Sequence, residues 1–154
     1  MSVKPALSSI KRATAVAAAI AAATAIAQEP STFQKTCNHL RYGVDSAGTP
    51  VAVASCPKSD NKTRVESYVA LRGFHNKNGR LSAGAGPATF HKTCTDIKVG
   101  VRKDDGAVVI SAMCPKSSGE RVETSSILWD VHVDSTGQLH HLVPGTDKVV
   151  PPVK

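Results

Sequence analysis

The chain has 154 residues, 41% of them hydrophobic, which suits one domain or two very small ones. Its formal net charge is +7, but three of the basic residues lie in the first 12 positions and the others are scattered. Proteins that bind nucleic acid usually carry a clustered basic stripe on a recognisable module. The chain has neither feature, so we expect no nucleic-acid partner.

Residues 1–27 have the pattern of a secretory signal peptide. Basic residues at Lys4, Lys11 and Arg12 precede an uncharged apolar run at 13–27, which ends in Ala-Ile-Ala, a small-x-small cleavage pattern. This run is shorter than the roughly 20 residues that span a bilayer. We therefore expect a secreted protein, extracellular or periplasmic, with no membrane segment after cleavage and with a short leader at 28–31.

The remainder of the chain contains an internal repeat. Thr-Phe-Gln-Lys-Thr-Cys at 32–37 returns as Thr-Phe-His-Lys-Thr-Cys at 89–94, and Cys-Pro-Lys-Ser at 56–59 returns unchanged at 114–117. Self-similarity at a fixed spacing indicates a repeated structural unit. We predict repeat one at 32–81, a Gly-, Ala- and Pro-rich linker at 82–88, repeat two at 89–139, and a flexible Pro-containing tail at 141–154.

Each repeat begins with two predicted strands that flank a turn. In repeat one, extended-looking runs at 40–44 and 51–54 enclose a turn-forming cluster at 45–49. In repeat two, apolar residues alternate with others at 97–101, Asp104-Asp105-Gly106 is a turn signal, and 107–113 is an apolar return strand. The motif at 32–37, like its copy at 89–94, is interpreted as the strand that starts each hairpin.

The four cysteines lie on either side of these two turns. An even number of cysteines in an exported chain predicts disulfides, whereas the same number in a cytosolic enzyme would suggest a metal site. Because each turn lies midway between two cysteines, a hairpin brings that pair opposite each other at a distance that a disulfide can bridge. Of the three possible pairings, this favours Cys37–Cys56 with Cys94–Cys114.

A third strand and a small hairpin complete each repeat. Arg-Val-Glu begins the third strand at 64–66 and again at 121–123, and the apolar runs 68–71 and 127–129 should be buried. Asn78-Gly79, echoed by Thr-Gly at 136–137, predicts the tight turn of the hairpin. The expected fold is all-β with about ten strands. The expected aromatic core consists of Phe33, Phe90, Tyr68, Phe74 and Trp129.

These features together resemble the cyanovirin-N homology domain family over residues 32–140. The resemblance rests on the duplicated Phe-x-x-Thr-Cys element, a second cysteine after a hairpin, and Asn-x-x-Gly-x-Leu at 76–81. It implies a pseudo-symmetric tandem repeat in which each repeat forms a three-stranded sheet plus a β-hairpin, with the hairpins exchanged between repeats. It also implies a lectin for mannose-type or related glycans, monomeric or a domain-swapped dimer, that uses no catalysis, cofactor or metal.

The resemblance further implies two sugar pockets, each formed by both repeats. Candidate contacts in the first pocket are Lys35, Thr36, Lys58, Ser59, Asp134 and Thr136. Candidate contacts in the second pocket are Asn76, Asn78, Thr89, Lys92, Thr93, Lys116 and Ser117.

Three positions differ from the best-known member of that family. Pro57, His75 and Lys92 stand where that member has acidic residues. Proline offers neither a side-chain acceptor nor an N–H, and lysine only donates hydrogen bonds. A second interpretation is therefore a secreted protein-interaction or effector protein that keeps the fold without sugar binding. In both interpretations, Thr36 and Thr93 could be structural hydroxyls beside the disulfides.

An enzyme or a metalloprotein is disfavoured by the residues that each would need. A Cys–His nucleophile requires a free thiol, and all four thiols are expected to be oxidised. The six histidines show no spacing typical of zinc ligands apart from the adjacent pair at 140–141.

Overall fold

Ten short strands in two equivalent sets form the fold of the computed structural model, which describes residues 29–141. In repeat one, three strands form an antiparallel sheet and two more form a hairpin: β1 (Asn38–Val44), β2 (Pro50–Pro57) and β3 (Arg64–Ala70), then β4 (Phe74–Lys77) and β5 (Arg80–Ala83). Repeat two has the same arrangement: β6 (Thr95–Val101), β7 (Val108–Pro115) and β8 (Arg121–Ile127), then β9 (Val131–Val133) and β10 (Leu139–His141).

The two hairpins are exchanged between the repeats, as predicted. In the hairpin of repeat one, Leu81 donates its N–H to Oγ1 of Thr124 on β8 at 3.0 Å. In the hairpin of repeat two, Leu139 donates its N–H to Oγ of Ser67 on β3 at 2.8 Å. Ser67 is only 1% exposed, so this bond satisfies a buried hydroxyl that would otherwise be costly. Each sheet therefore carries the hairpin of the other repeat.

A glycine in each hairpin turn permits this close packing. Gly137 has a φ of +82°, and a Cβ there would lie 2.6 Å from Cγ2 of Val65 on β3. Gly79, its equivalent in repeat one, also has a φ of +82°, and a Cβ there would lie 2.8 Å from Cγ2 of Val122 on β8. Both the left-handed backbone and the contact distance therefore require glycine.

Both predicted disulfides are confirmed. Cys37 is bonded to Cys56 and Cys94 to Cys114, each with a Cα–Cα distance of 4.3 Å. Cys56 and Cys114 lie on the central strands β2 and β7 and are fully buried. Each bridge therefore ties the entry of its repeat to the centre of its sheet.

The repeated motif itself is not a strand, and that prediction is wrong. Residues Phe33–Lys35 and Phe90–Lys92 form 3₁₀ turns, and β1 and β6 begin only after the first cysteine of each repeat. The carbonyl of Phe33 accepts the N–H of Thr36 at 3.1 Å and that of Cys37 at 2.8 Å. The turn forms because Phe33, like Phe90, points into the core, where it is at most 1% exposed.

The predicted aromatic core is correct except at two positions. Phe33, Phe74 and Phe90 are buried, and the rings of Phe74 and Phe90 meet edge to face with centroids 6.2 Å apart. Tyr68 is instead 46% exposed. Side chains alternate between the two faces of β3, and the buried ones are those of its neighbours Ser67 and Val69. Trp129 is half-buried, at the corner between β8 and β9.

The ends of the domain extend slightly beyond the predicted boundaries. Ser31, assigned to the leader, is 3% exposed and donates its hydroxyl to the carbonyl of Leu128 at 2.6 Å. His141, assigned to the tail, belongs to β10, where it pairs with Val131. The predicted signal peptide and residues 142–154 lie outside the described residues. None of the helices found within 29–141 has the length and apolar character to cross a membrane.

Candidate functional site

The first cluster combines predicted residues from three segments. They come from the 3₁₀ turn of repeat one, the loop after β2 and the turn between β9 and β10: Lys35, Thr36, Lys58, Ser59, Asp134 and Thr136. The loop and the hairpin turn are joined by a hydrogen bond from the N–H of Ser59 to the carbonyl of Ser135 at 2.8 Å. The 3₁₀ turn meets the hairpin where Thr32 donates its N–H to the carbonyl of Val131 at 3.1 Å. The three segments predicted for the first pocket therefore come together from both repeats.

The carboxylate of Asp134 forms its hydrogen bonds within the hairpin of the first cluster and stabilises the β9–β10 turn. Its Oδ1 accepts the N–H and the hydroxyl of Thr136, at 2.8 and 2.7 Å, and the N–H of Gln138 at 3.0 Å. Its Oδ2 lies 2.6 Å from Nε2 of His140. Burial tends to raise the pKa of Asp134, but the hydrogen bonds from these three residues hold it far below its usual range. The carboxylate is thus ionised and fully engaged in shaping the turn.

The second cluster is formed in the same way at the other sheet. It combines the 3₁₀ turn of repeat two, the end of β7 with the loop that follows, and the β4–β5 turn: Thr89, Lys92, Thr93, Lys116, Ser117, Asn76 and Asn78. Asn76 donates its Nδ2 to the carbonyl of Pro115 at 3.0 Å, and its Oδ1 accepts the N–H of Gly79 at 2.8 Å. Asn78 Oδ1 accepts both the N–H and the hydroxyl of Ser117, at 2.7 and 3.0 Å. Asn76 Nδ2 also donates to the hydroxyl of Thr93 at 3.5 Å, so the three segments predicted for the second pocket are in contact.

The two threonines before the first cysteines have a structural bond in addition to an exposed surface. The hydroxyl of Thr36 donates to the carbonyl of Phe33 at 3.3 Å, and that of Thr93 donates to the carbonyl of Phe90 at 3.3 Å. Both side chains remain exposed. Each hydroxyl thus caps its 3₁₀ turn and can still accept a hydrogen bond from a ligand.

Two arginines contribute to the clusters and were missed by the sequence reasoning. Arg64 donates its Nη2 to the carbonyl of Thr36 at 3.1 Å and to that of Ser55 at 2.7 Å. Arg121 donates its Nη2 to the carbonyl of Thr93 at 3.2 Å. Both side chains are exposed and fix the 3₁₀ turn to the sheet beside it. The signal that could have found them is the recurrence of Arg-Val-Glu at an offset of 57 residues.

Two equivalent histidines also contribute, of which the sequence reasoning named His75 as a substituted position and missed His132. Nδ1 of His132 lies 3.0 Å from Oγ1 of Thr32, and Nδ1 of His75 lies 2.8 Å from Oγ1 of Thr89. Both pairs link a hairpin to a 3₁₀ turn across the repeat boundary. The histidines are 57 residues apart, as are the threonines, so the internal repeat carried this signal also.

A separate cavity of about 780 Å³ lies beside the second cluster. Its walls include the β3–β4 corner, the linker between the repeats, and Trp129, the single tryptophan of the chain. His91 and Lys92 line one side. Burial, followed by the charge of Lys92, lowers the pKa of His91, which favours a neutral ring.

The chemistry available in the two clusters is hydrogen bonding by exposed hydroxyl, amide, ammonium and guanidinium groups. Among residues 29–141 every cysteine is disulfide-bonded. The same part of the chain has no group of three or more His, Cys, Asp or Glu side chains that could hold a metal ion. The clusters are therefore suited to bind a polar ligand.

The fold and the clusters define a class of protein: a tandem-repeat β domain with two equivalent polar surfaces, each formed by both repeats. The family model of the CVNH domain matches residues 33–140, and the chain belongs to this family. No curated protein sequence matches the chain significantly.

Solved structures of similar fold have low sequence identity to the chain. GzCVNH of Gibberella zeae is 24% identical, covers 72% of this chain and 97% of its own, and has a TM-score of 0.51. NcCVNH of N. crassa is 17% identical, covers 69% and 94%, and has a TM-score of 0.53. Microvirin, solved as a mannobiose complex, is 20% identical, covers 70% and 95%, and has a TM-score of 0.51. At these identities the likeness concerns the fold.

Proposed function

We propose that the protein is a lectin-like carbohydrate-binding protein that recognises mannose-type or related glycans by hydrogen bonds, without catalysis. The observation that carries this proposal is that segments with exposed Thr, Ser, Asn and Lys residues come together from both repeats in two equivalent clusters. Membership of the CVNH family supports it. The complex of microvirin with mannobiose shows that a protein of this fold holds a mannose disaccharide.

Two clusters on one chain would allow bivalent capture of a branched or multivalent glycan. Linking two sites converts the second binding event into an intramolecular one, so the avidity exceeds the affinity of either site. We propose a monomer or a domain-swapped dimer as the working form. Sedimentation of the protein with and without glycan would distinguish the two.

We also propose secretion, either to the extracellular space or to the periplasm. The signal-peptide pattern at residues 1–27 motivates it. The two disulfides support it, because such bonds persist mainly in oxidising compartments.

A glycan array probed with the full chain, produced with both disulfides formed, tests the carbohydrate-binding function. We expect binding to a coherent set of mannose-type or related glycans. A matched variant with Thr36→Ala and Thr93→Ala should bind more weakly, because it removes one hydroxyl from each cluster. A flat response across diverse glycans would overturn the proposal. If such a result came with a saturable protein partner that no sugar displaces, the interaction or effector function would replace it.

A further inference from the structure

We propose that both clusters prefer glycans that carry a negatively charged substituent, namely a phosphate, sulfate or carboxylate group on the sugar. This inference rests on the proposed carbohydrate-binding function and names its ligand class more closely. It follows from which hydrogen-bonding groups of the clusters are already engaged within the protein and which are not.

The amide oxygens of the second cluster are already engaged within the protein. Oδ1 of Asn78 accepts two hydrogen bonds from Ser117, at 2.7 and 3.0 Å. Oδ1 of Asn76 accepts the N–H of Gly79 at 2.8 Å. The carbonyl of Thr93, which is also exposed to this cluster, accepts the guanidinium of Arg121 at 3.2 Å. A sugar hydroxyl that needs to donate its proton would therefore compete with bonds that hold the cluster together.

The first cluster has the same shortage of acceptors. Its one carboxylate, that of Asp134, accepts three hydrogen bonds on Oδ1 and pairs with His140 through Oδ2. In the loop after β2, Asp60 is engaged as well, because its two oxygens accept bonds from Lys62 and Thr63. Most of the acceptor capacity of both carboxylates is therefore already used within the protein.

The charged groups of the clusters that remain available to a ligand are cationic hydrogen-bond donors. Lys35, Lys58 and Lys92 are exposed, and none of the salt bridges within residues 29–141 includes them. Arg64 and Arg121 stand beside them and bond only neutral oxygens of the protein. Lys116 is paired with Glu120, and Lys58 lies near Asp60 in the same loop. The positive charge that forms no salt bridge within residues 29–141 therefore comes from Lys35 and Arg64 in the first cluster and from Lys92 and Arg121 in the second.

Such a surface complements oxygen atoms that accept hydrogen bonds and bear no proton. An ammonium group only donates, so a neutral sugar hydroxyl that accepts from it must place its own proton on one of the few neutral acceptors left, such as the hydroxyl of Thr36 or Thr93. A phosphate, sulfate or carboxylate group has no such proton to place and forms charge-assisted hydrogen bonds, which are shorter and stronger than neutral ones. The clusters thus favour an anionic sugar over its neutral parent.

The test compares an oligomannose glycan with the same glycan carrying one phosphate monoester, each titrated into the full chain by calorimetry at about 0.15 M salt, where screening extends over roughly 8 Å. We expect the phosphorylated glycan to bind about tenfold more tightly, which is the scale of one charge-assisted hydrogen bond. This advantage should shrink as the salt concentration rises, because screening weakens interactions between exposed charges.

Paired variants assign the effect to the clusters. Lys35→Glu with Lys92→Glu should abolish the preference for phosphate, and the Gln versions should reduce it. The matched control, Lys98→Glu with Lys103→Glu, makes the same charge change at exposed positions on β6 and its turn and should keep the preference. All four side chains are exposed, so we expect the variants to fold, and their far-ultraviolet circular dichroism should match the parent.

The possible outcomes separate this inference from the function on which it rests. Equal affinity for both glycans, or equal loss in the cluster variant and the control, would overturn the charge preference and leave carbohydrate binding intact. Failure of both glycans to bind would overturn the charge preference and count against the proposed function as well.

Discussion

Replacing Asp134 with alanine should destabilise the protein by removing the group that organises the second hairpin. The carboxylate accepts bonds from Thr136 and Gln138 at 2.7 to 3.0 Å and pairs with His140 at 2.6 Å. Hydrogen bonds to a charged group contribute about 1.5–3 kcal/mol. Because the side chain is 37% exposed, water replaces part of this, and we expect a loss of about 1.5 kcal/mol at neutral pH.

The same substitution should change the pH dependence of stability in a defined direction. Hydrogen bonds keep the pKa of Asp134 far below its usual range in the folded protein, despite an opposing effect of burial. In the unfolded chain the pKa of an aspartate is about 3.9. The stabilisation is therefore complete above about pH 5 and is lost as the pH falls from there toward the lowered pKa of the folded state. The cost of Asp134→Ala should be largest at pH 5 to 7 and smaller at pH 3.

Urea unfolding measures both effects, with the fluorescence of Trp129 as the readout, since it is the single tryptophan of the chain. Asp134→Asn is the matched variant. It keeps one oxygen for the backbone donors, cannot offer a charged carboxylate oxygen to Nε2 of His140, and should cost less than alanine. A cost of Asp134→Ala that stays the same at pH 5 and pH 3 would refute the claim that its ionised form stabilises the turn.

Three further predictions concern the packing of the repeats. Alanine at both Cys94 and Cys114 should lower the free energy of unfolding by about 3 kcal/mol, because their bond closes a loop of 20 residues; an unchanged urea midpoint would contradict this. Gly137→Ala should cost about 2 kcal/mol by overpacking and strain, and clearly more than Gly48→Ala, which has a similar φ of +80° but open space around it. Asn76→Ala should speed amide hydrogen exchange in the β4–β5 hairpin, because it loses the 3.0 Å bond to β7; unchanged exchange would show that this bond does not hold the hairpin.

Much of the fold could be predicted because the sequence repeats itself. The duplicated cysteines flank turns at their midpoints, and this places each pair across a hairpin whatever the details of the strands. The glycines at 79 and 137 recur for a reason visible only in the structure, since each turn lies against a valine of the opposite repeat. The exchange of hairpins itself came from the family resemblance, because local sequence patterns carry no information about which sheet a hairpin covers.

The remaining features depend on contacts between residues distant in sequence. Tyr68 was expected in the core because it is aromatic and lies in an apolar run, but the inward positions of β3 are those of its neighbours Ser67 and Val69. The Phe-x-x-Thr-Cys element has extended-looking residues, yet the demand that Phe33 reach the core bends it into a 3₁₀ turn. A buried side chain overrides local propensity in both cases.

The candidate sites were likewise predictable only in part. The family resemblance named the segments of each candidate site, and the structure brings these segments together. Which atoms are left for a ligand could not be predicted, because that depends on bonds such as those of Asp134 to Thr136 and of Asn78 to Ser117. Those bonds change the expected chemistry of the clusters from a balance of donors and acceptors to an excess of donors.

Carbohydrate binding by the two clusters is tested most directly by nuclear magnetic resonance titration of the labelled protein with oligomannose and its phosphorylated form. We expect saturable shifts of the backbone amides of Thr36 and Ser59 in the first cluster and of Thr93 and Ser117 in the second, larger with the phosphorylated glycan. Absence of shifts with both glycans, or shifts confined to the cavity beside Trp129, would contradict the account.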